Sequence, residues 1–242
     1  MNLNIGLLIL AIVTQAIGLI FFIESVWIST LIALLMIITA VGPSIIGEFL
    51  GSHKDKGYLK PDKWLAKEFN NLVRSAGITR KVVLVIIPNW DNAESNCYKI
   101  KLGQIYDNQF EKQMKLALLA HELAHIQKKH YFKSMIILML IPILVLFLSL
   151  LLLTLWLDSL PNNEATFGLM LLSFCIATIV FRFISWKFEL QADLTAADIK
   201  PINKHLMICF LSEMAKISNM SINRDYYRHP SINKRIANLK KI

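Results

Sequence analysis

Charge is missing from long stretches of this chain. Residues 3–23, 25–46 and 134–157 contain no Lys, Arg, Asp or Glu. At 1.5 Å per helical residue, each is long enough to cross a hydrocarbon layer of roughly 30 Å. A fourth stretch, 165–185, is apolar apart from Arg182. A hydrophobic fraction of 55% and a mean hydropathy of +0.50 exceed the usual soluble range. Four membrane-spanning helices are therefore predicted. The first block lacks both the basic start and the small-residue cleavage site of a secretory signal, so it is read as a retained span. Cysteine is scarce as well. Cys97, Cys175 and Cys209 are scattered and odd in number. They form no Cys-x-x-Cys pair, which excludes a zinc ribbon and a disulfide framework and suits a reducing compartment. Internal repeats and low-complexity tracts are also lacking.

The basic residues are unevenly placed. Of 26 Lys and Arg, fifteen fall within 48–133 and eleven from Arg182 onward, with none around Glu24 or in 158–164. Basic loops resist translocation, so both ends and the central loop are predicted to be cytoplasmic. The net charge of +9 is then a matter of topology and of attraction to anionic lipid heads. With no nucleic-acid-binding motif and no basic stripe interleaved with aromatics, nucleic acid is not expected as a partner.

The chain is thus divided into residues 1–47 (two spans), 48–133 (a soluble piece), 134–185 (two spans) and 186–242 (a second soluble piece). In the first soluble piece, Pro61-Asp62 precedes a helix with Leu65, Phe69, Leu72 and Val73 at helical spacing, stopped by Gly77. Residues 81–87 are β-branched and read as a strand, and 98–102 as a second, with polar 90–96 between them. Residues 110–129 read as a helix. In the second piece, 186–199 continues the fourth span, and 204–218 and 230–239 are further helices. Leu206, Cys209, Phe210 and Met214 are expected to form a small core. Neither piece buries much apolar area alone, so they are expected to fold together.

The sharpest signal is His121-Glu122-Leu123-Ala124-His125. Four residues make just over one helical turn, so both imidazoles project from one face. Two neutral nitrogens can then bind one Zn²⁺, with Glu122 placed to take a proton from metal-bound water. Random placement of six His and nine Glu would give this pattern in about one chain in two hundred, so chance is a poor account of it. Met114 and Leu118 share the stripe of His121 and His125, as a buried metal face requires.

A catalytic zinc usually takes three protein ligands. On a continuous helix, His130 would lie about 140° from His125, which makes it a poor ligand and a supporting or surface group instead. Glu189, in Phe188-Glu189-Leu190-Gln191-Ala192-Asp193, is the preferred third ligand. Asp193, one turn later, is placed to accept a hydrogen bond from a ligand imidazole. Two readings stand for His229-Pro230-Ser231 and Arg235-Ile236: a His or Arg that stabilises an oxyanion, or a proline-started helix with surface cations.

These motifs, in this order, resemble the membrane zinc metalloproteases of the HtpX-like heat-shock protease and CAAX prenyl endopeptidase family. His121-Glu122-x-x-His125 looks like its zinc helix and Glu189-x-x-Ala192-Asp193 like its third-ligand motif. His229-Pro230 with Arg235-Ile236 is similar to its C-terminal segment. Asn92-Ala93 and Leu102-Gly103 resemble its substrate-edge region, although Glu94 replaces the aromatic often found there, and the segment between Ala192 and His229 is short.

The resemblance covers about residues 76–242. It implies a mainly α integral membrane protein with four transmembrane helices and a small α+β, zincin-like cytoplasmic metalloprotease domain. His121, His125 and Glu189 would bind Zn²⁺, Glu122 and His229 would be catalytic, and Asp193 and Arg235 would support them. The implied protein is a multi-pass cell-membrane endopeptidase acting on protein or peptide substrates at the cytoplasmic face. An antirepressor-type receptor protease is disfavoured by the two spans between His125 and Glu189. An intramembrane protease is disfavoured by Lys112, Lys115, Lys128 and Lys129 around the zinc helix. The alternative from another class is a noncatalytic membrane scaffold or immunity-type protein, against which the intact Glu122 counts.

Overall fold

The computed structural model describes residues 57–157 and 163–241. Among the described residues the chain is mainly helical with one small sheet. The described residues fall into two units: a first that includes 135–157 and 163–181, and a second that includes 57–134 and 182–241.

The second unit opens with α1 (Lys63–Ser75). The Asp62 side chain caps it by accepting from the Leu65 amide at 2.7 Å. Leu65, Phe69 and Leu72 form its buried face. Gly77, at φ +65°, ends it in the left-handed region where a Cβ would be strained.

Three strands follow: β1 (Val83–Ile87), β2 (Ala93–Ser95) and β3 (Lys99–Gly103). Their order is β1-β3-β2. β3 pairs parallel with β1, setting Val83 opposite Lys99, and antiparallel with β2, setting Ala93 opposite Leu102. The central strand carries the fully buried Ile100 and Leu102. Leu59 and Ile86 exchange hydrogen bonds of 2.9 and 3.0 Å, which covers part of the outer edge of β1. β2 lies in the polar stretch where the sequence suggested no strand. It is anchored from outside, because Gly103 donates to the Asn92 carbonyl at 2.8 Å and Ile105 to that of Trp90 at 3.1 Å. A Cβ on Gly103 would stand 2.2 Å from the Trp90 carbonyl oxygen, so no larger residue fits there without moving backbone.

The helices are α2 (Gln104–Gln109), α3 (Lys112–Gln127), α4 (His130–Leu157), α5 (Asn163–Asp198), α6 (Lys204–Ile217) and α7 (Ile232–Lys240). From Leu116 to Ala124, α3 is buried at every position. α1, α6, β2 and β3 all pack on it. A helix covered on all sides shows little amphipathic pattern. His121, Glu122 and His125 are on this element.

Two helical stretches, His130–Ser149 in α4 and Leu171–Asp198 in α5, are long and apolar enough to cross a membrane. Leu140, Leu144 and Phe147 on α4 are exposed, as are Leu172, Ile179 and Phe183 on α5. Such surfaces are unfavourable in water and suited to lipid. The spans expected at 3–23 and 25–46 lie outside the described residues. α5 runs unbroken from its apolar part through Glu189 and Asp193, as the sequence suggested.

Candidate metal centre

α3 presents His121 and His125 one turn apart, with their Nε2 atoms 3.2 Å from each other. Glu189 reaches them from α5: Oε2 is 3.5 Å from His121 Nε2, and Oε1 is 3.3 Å from His125 Nε2. One ligand atom from each of the three residues falls within 4.8 Å of the others. Two imidazole nitrogens and a carboxylate are the donor chemistry of a catalytic zinc site with one position left for water. A further observation fits a cation here. Glu189 Oε2 is buried and receives no hydrogen bond of proper geometry, although His229 Nδ1 is 3.0 Å away. Arg235 NH1 lies 3.5 Å from this anionic oxygen, and a metal cation would add the close positive partner that it lacks.

Asp193 and Arg235 lie behind His121. His121 Nδ1 is 2.9 Å from Asp193 Oδ1. Arg235 grips the same carboxylate in a bidentate pair, with Nε to Oδ2 at 2.8 Å and NH2 to Oδ1 at 2.7 Å. Asp193 is fully buried and Arg235 is 3% exposed. Burial works against the charged form of Arg235, but Asp193 first and then Glu189 outweigh it and hold the guanidinium protonated. Burial likewise opposes the charged form of His121. Hydrogen bonds to Asp193 and Glu189 prevail, raising the imidazole to about 10 in the metal-free protein. A metal at Nε2 would replace that proton.

Glu122 is buried on α3 and lines the same cavity as His121 and Glu189. The cavity measures about 280 Å³. Leu118, Phe210, Met214 and Met220 supply apolar wall, and Asn92 and Ala93 bring the start of β2 to its rim. Tyr106 also lines it and shares a 2.7 Å hydrogen bond with Ser218. The side chain of His229 is 51% exposed and lines the cavity. Arg235 also lines the cavity and lies 3.5 Å from Glu189, but its bidentate pair is with Asp193. Of the two oxyanion candidates, His229 has the freedom to meet a substrate.

All seven candidate residues thus come together in the second unit. The sequence reading gave no role to Gln191, nor to the cavity residues Tyr106, Tyr226 and Met220. Gln191 had a signal available, since it sits between Glu189 and Asp193. Tyr106 lies on α2, a short helix whose sequence has too little apolar periodicity to be noticed.

The arrangement has the elements of a metallopeptidase-type centre: an imidazole pair one turn apart, a carboxylate between them in sequence, and a second carboxylate from a distant helix that could join the pair on a metal ion. Residues 60–242 match the family described as Peptidase family M48, and the chain belongs to that family. Among solved structures, the crystal structure of S. mikatae Ste24p is similar, with a TM-score of 0.64 and 20% sequence identity. The match covers 98% of this chain and 63% of that one. At this identity the likeness is one of fold, and this chain spans less than two thirds of that protein's length. A comparison with curated proteins gave no significant match.

Proposed function

We propose that the protein is a membrane-embedded zinc endopeptidase that hydrolyses peptide bonds of membrane or membrane-associated proteins at the cytoplasmic face. The observation that carries this reading is the convergence of His121, His125 and Glu189, two of which, His121 and Glu189, line one cavity with Glu122. His121, His125 and Glu189 would hold the metal. When bound, zinc would supply Lewis acidity and activate water.

The remaining chemistry falls to the chain. Glu122 would accept the proton of the attacking water and return it to the leaving amine. His229 would donate to the oxygen that becomes negative as the carbonyl is attacked. The short edge strand β2, with Asn92 and Ala93 at the cavity rim, would pair with an extended substrate by strand addition. The apolar wall formed by Leu118, Phe210 and Met214 favours an apolar side chain next to the cleaved bond. The cytoplasmic assignment rests on the distribution of Lys and Arg, and the membrane assignment on the apolar, exposed helices.

Purified protein is expected to contain about one zinc per chain by elemental analysis. Glu122→Gln should keep the zinc and the fold but lose nearly all cleavage of a casein-type or unfolded membrane substrate. Equal cleavage by both forms, or no zinc in the wild type, would sink the proposal.

A further inference from the structure

The helix that carries the imidazole pair does not run straight on into α4. Lys128 donates to the Ala124 carbonyl at 3.0 Å and Lys129 to that of Ile126 at 3.2 Å. Lys129 then takes φ +56°, in the left-handed region that costs a non-glycine residue roughly 1–2 kcal/mol. This bend turns His130 back toward the end of α3. His130 is 2% exposed, and each of its ring nitrogens has a partner. Nδ1 is 3.0 Å from His125 Nδ1, and Nε2 is 3.0 Å from Gln191 Oε1. The ring lies nearly parallel to Phe188, at 9° and 4.4 Å between centroids.

The hydrogens along this line can be counted. An amide oxygen only accepts, so His130 Nε2 must carry the hydrogen it shares with Gln191. A neutral imidazole has one N–H, which leaves His130 Nδ1 as an acceptor. His125 Nδ1 must then be the donor, and His125 Nε2 keeps a bare lone pair facing His121 and Glu189. With the Gln191 amide turned over, each hydrogen would move one atom along. His125 Nε2 would then be protonated and unable to bind metal. Only one orientation of the line is compatible with a metal.

We infer that His130 and Gln191 are positioning residues that hold His125 in the tautomer able to ligate. This rests on the metal reading above and goes beyond it. The partner of a ligand imidazole is usually a carboxylate, a carbonyl or water, and Asp193 fills that role for His121. For His125 the role falls to a third imidazole, oriented in turn by an amide on the helix that carries Glu189. The line therefore ties the two ligand-bearing helices together as well as setting the tautomer.

The test is a competitive chelator titration with zinc on the full-length protein in nanodiscs. His130→Phe keeps a ring against Phe188 but offers no acceptor, and it should weaken zinc binding about 10–100-fold. His130→Asn supplies an amide oxygen as acceptor and should recover most of that loss. Gln191→Leu, at an exposed position that folding tolerates, should show a smaller loss in the same direction. Wild-type affinity in His130→Phe, with an unchanged thermal transition, overturns the inference. So does an Asn variant as weak as the Phe variant when both fold, because restoring the acceptor would then restore no affinity. If His130→Phe does not fold, unchanged affinity in Gln191→Leu overturns it instead. Failure of the wild type to take up zinc is a separate result, and it removes the metal reading itself.

Discussion

His121 and His125 project from the same face of α3, yet they are supported by opposite means. Behind His121 stands a charged pair, Asp193 and Arg235, closed off from water. Behind His125 stands a neutral line that passes through His130 and ends at the exposed Gln191. Buried charges strongly penalise the loss of either partner, because the other is stranded without solvent. A neutral hydrogen bond has a smaller net value and leaves less behind when it is broken. The first arrangement ties the fold of the unit to the geometry of the site. The second orients a ligand while leaving the fold nearly independent of it.

Removing the guanidinium tests the difference most severely. Arg235→Met should strand Asp193 and cost about 3–5 kcal/mol of stability, measured by denaturant unfolding in detergent. Adding Asp193→Leu should restore much of that loss, since two apolar residues can replace a buried pair. A single variant as stable as wild type would mean that the pair is not a closed, buried unit.

Next in size is a direct contest between the two supports. Asp193→Asn keeps an acceptor for His121 but removes the charge, and it should lower zinc affinity about 10–100-fold. His130→Asn, also a neutral acceptor, should lose clearly less. Equal losses in a chelator titration would erase the contrast between the charged and neutral arms.

The smallest effect is expected at the bend that aims His130. Lys129→Gly relieves the left-handed conformation but loosens the unfolded chain, and it should stabilise by about 1 kcal/mol or less. Zinc affinity should stay unchanged. Destabilisation would show that the lysine side chain contributes something the backbone geometry does not reveal.

Legibility followed the reach of each interaction along the chain. The imidazole pair depends only on helical spacing, and the Asp62 cap, the strand of residues 83–87 and the continuity of α5 are equally local. Glu189 was readable because acidic residues beside an apolar span are conspicuous. His130 was harder. Its angular separation from His125 presumes a continuous helix, and the break at Lys128 and Lys129 carries neither glycine nor proline to announce itself. β2 was hidden because three residues pairing on one side, with no apolar alternation, gain their strand geometry from Gly103 and β3. In α6 the expected core residue Cys209 is only half-buried, while Met207, Leu211 and Ala215 are buried. That helix packs against both α3 and α7, and a face shared between two neighbours is not the one that simple periodicity selects.

Translation delivers this site in three stages. The imidazole pair leaves the ribosome first, Glu189 follows 64 residues after His125 (189 − 125), and Arg235 comes 42 after Asp193. At roughly 5–20 residues per second, the imidazoles wait about 3–13 s for their carboxylate, and Asp193 waits about 2–8 s for its counter-ion. Until then the acidic turn of α5 stays hydrated, because burying an unpaired carboxylate is too unfavourable. On the proposed function, a chain that has not yet reached α7 is therefore unable to cut, and the nascent polypeptides around it are spared until that helix has been made.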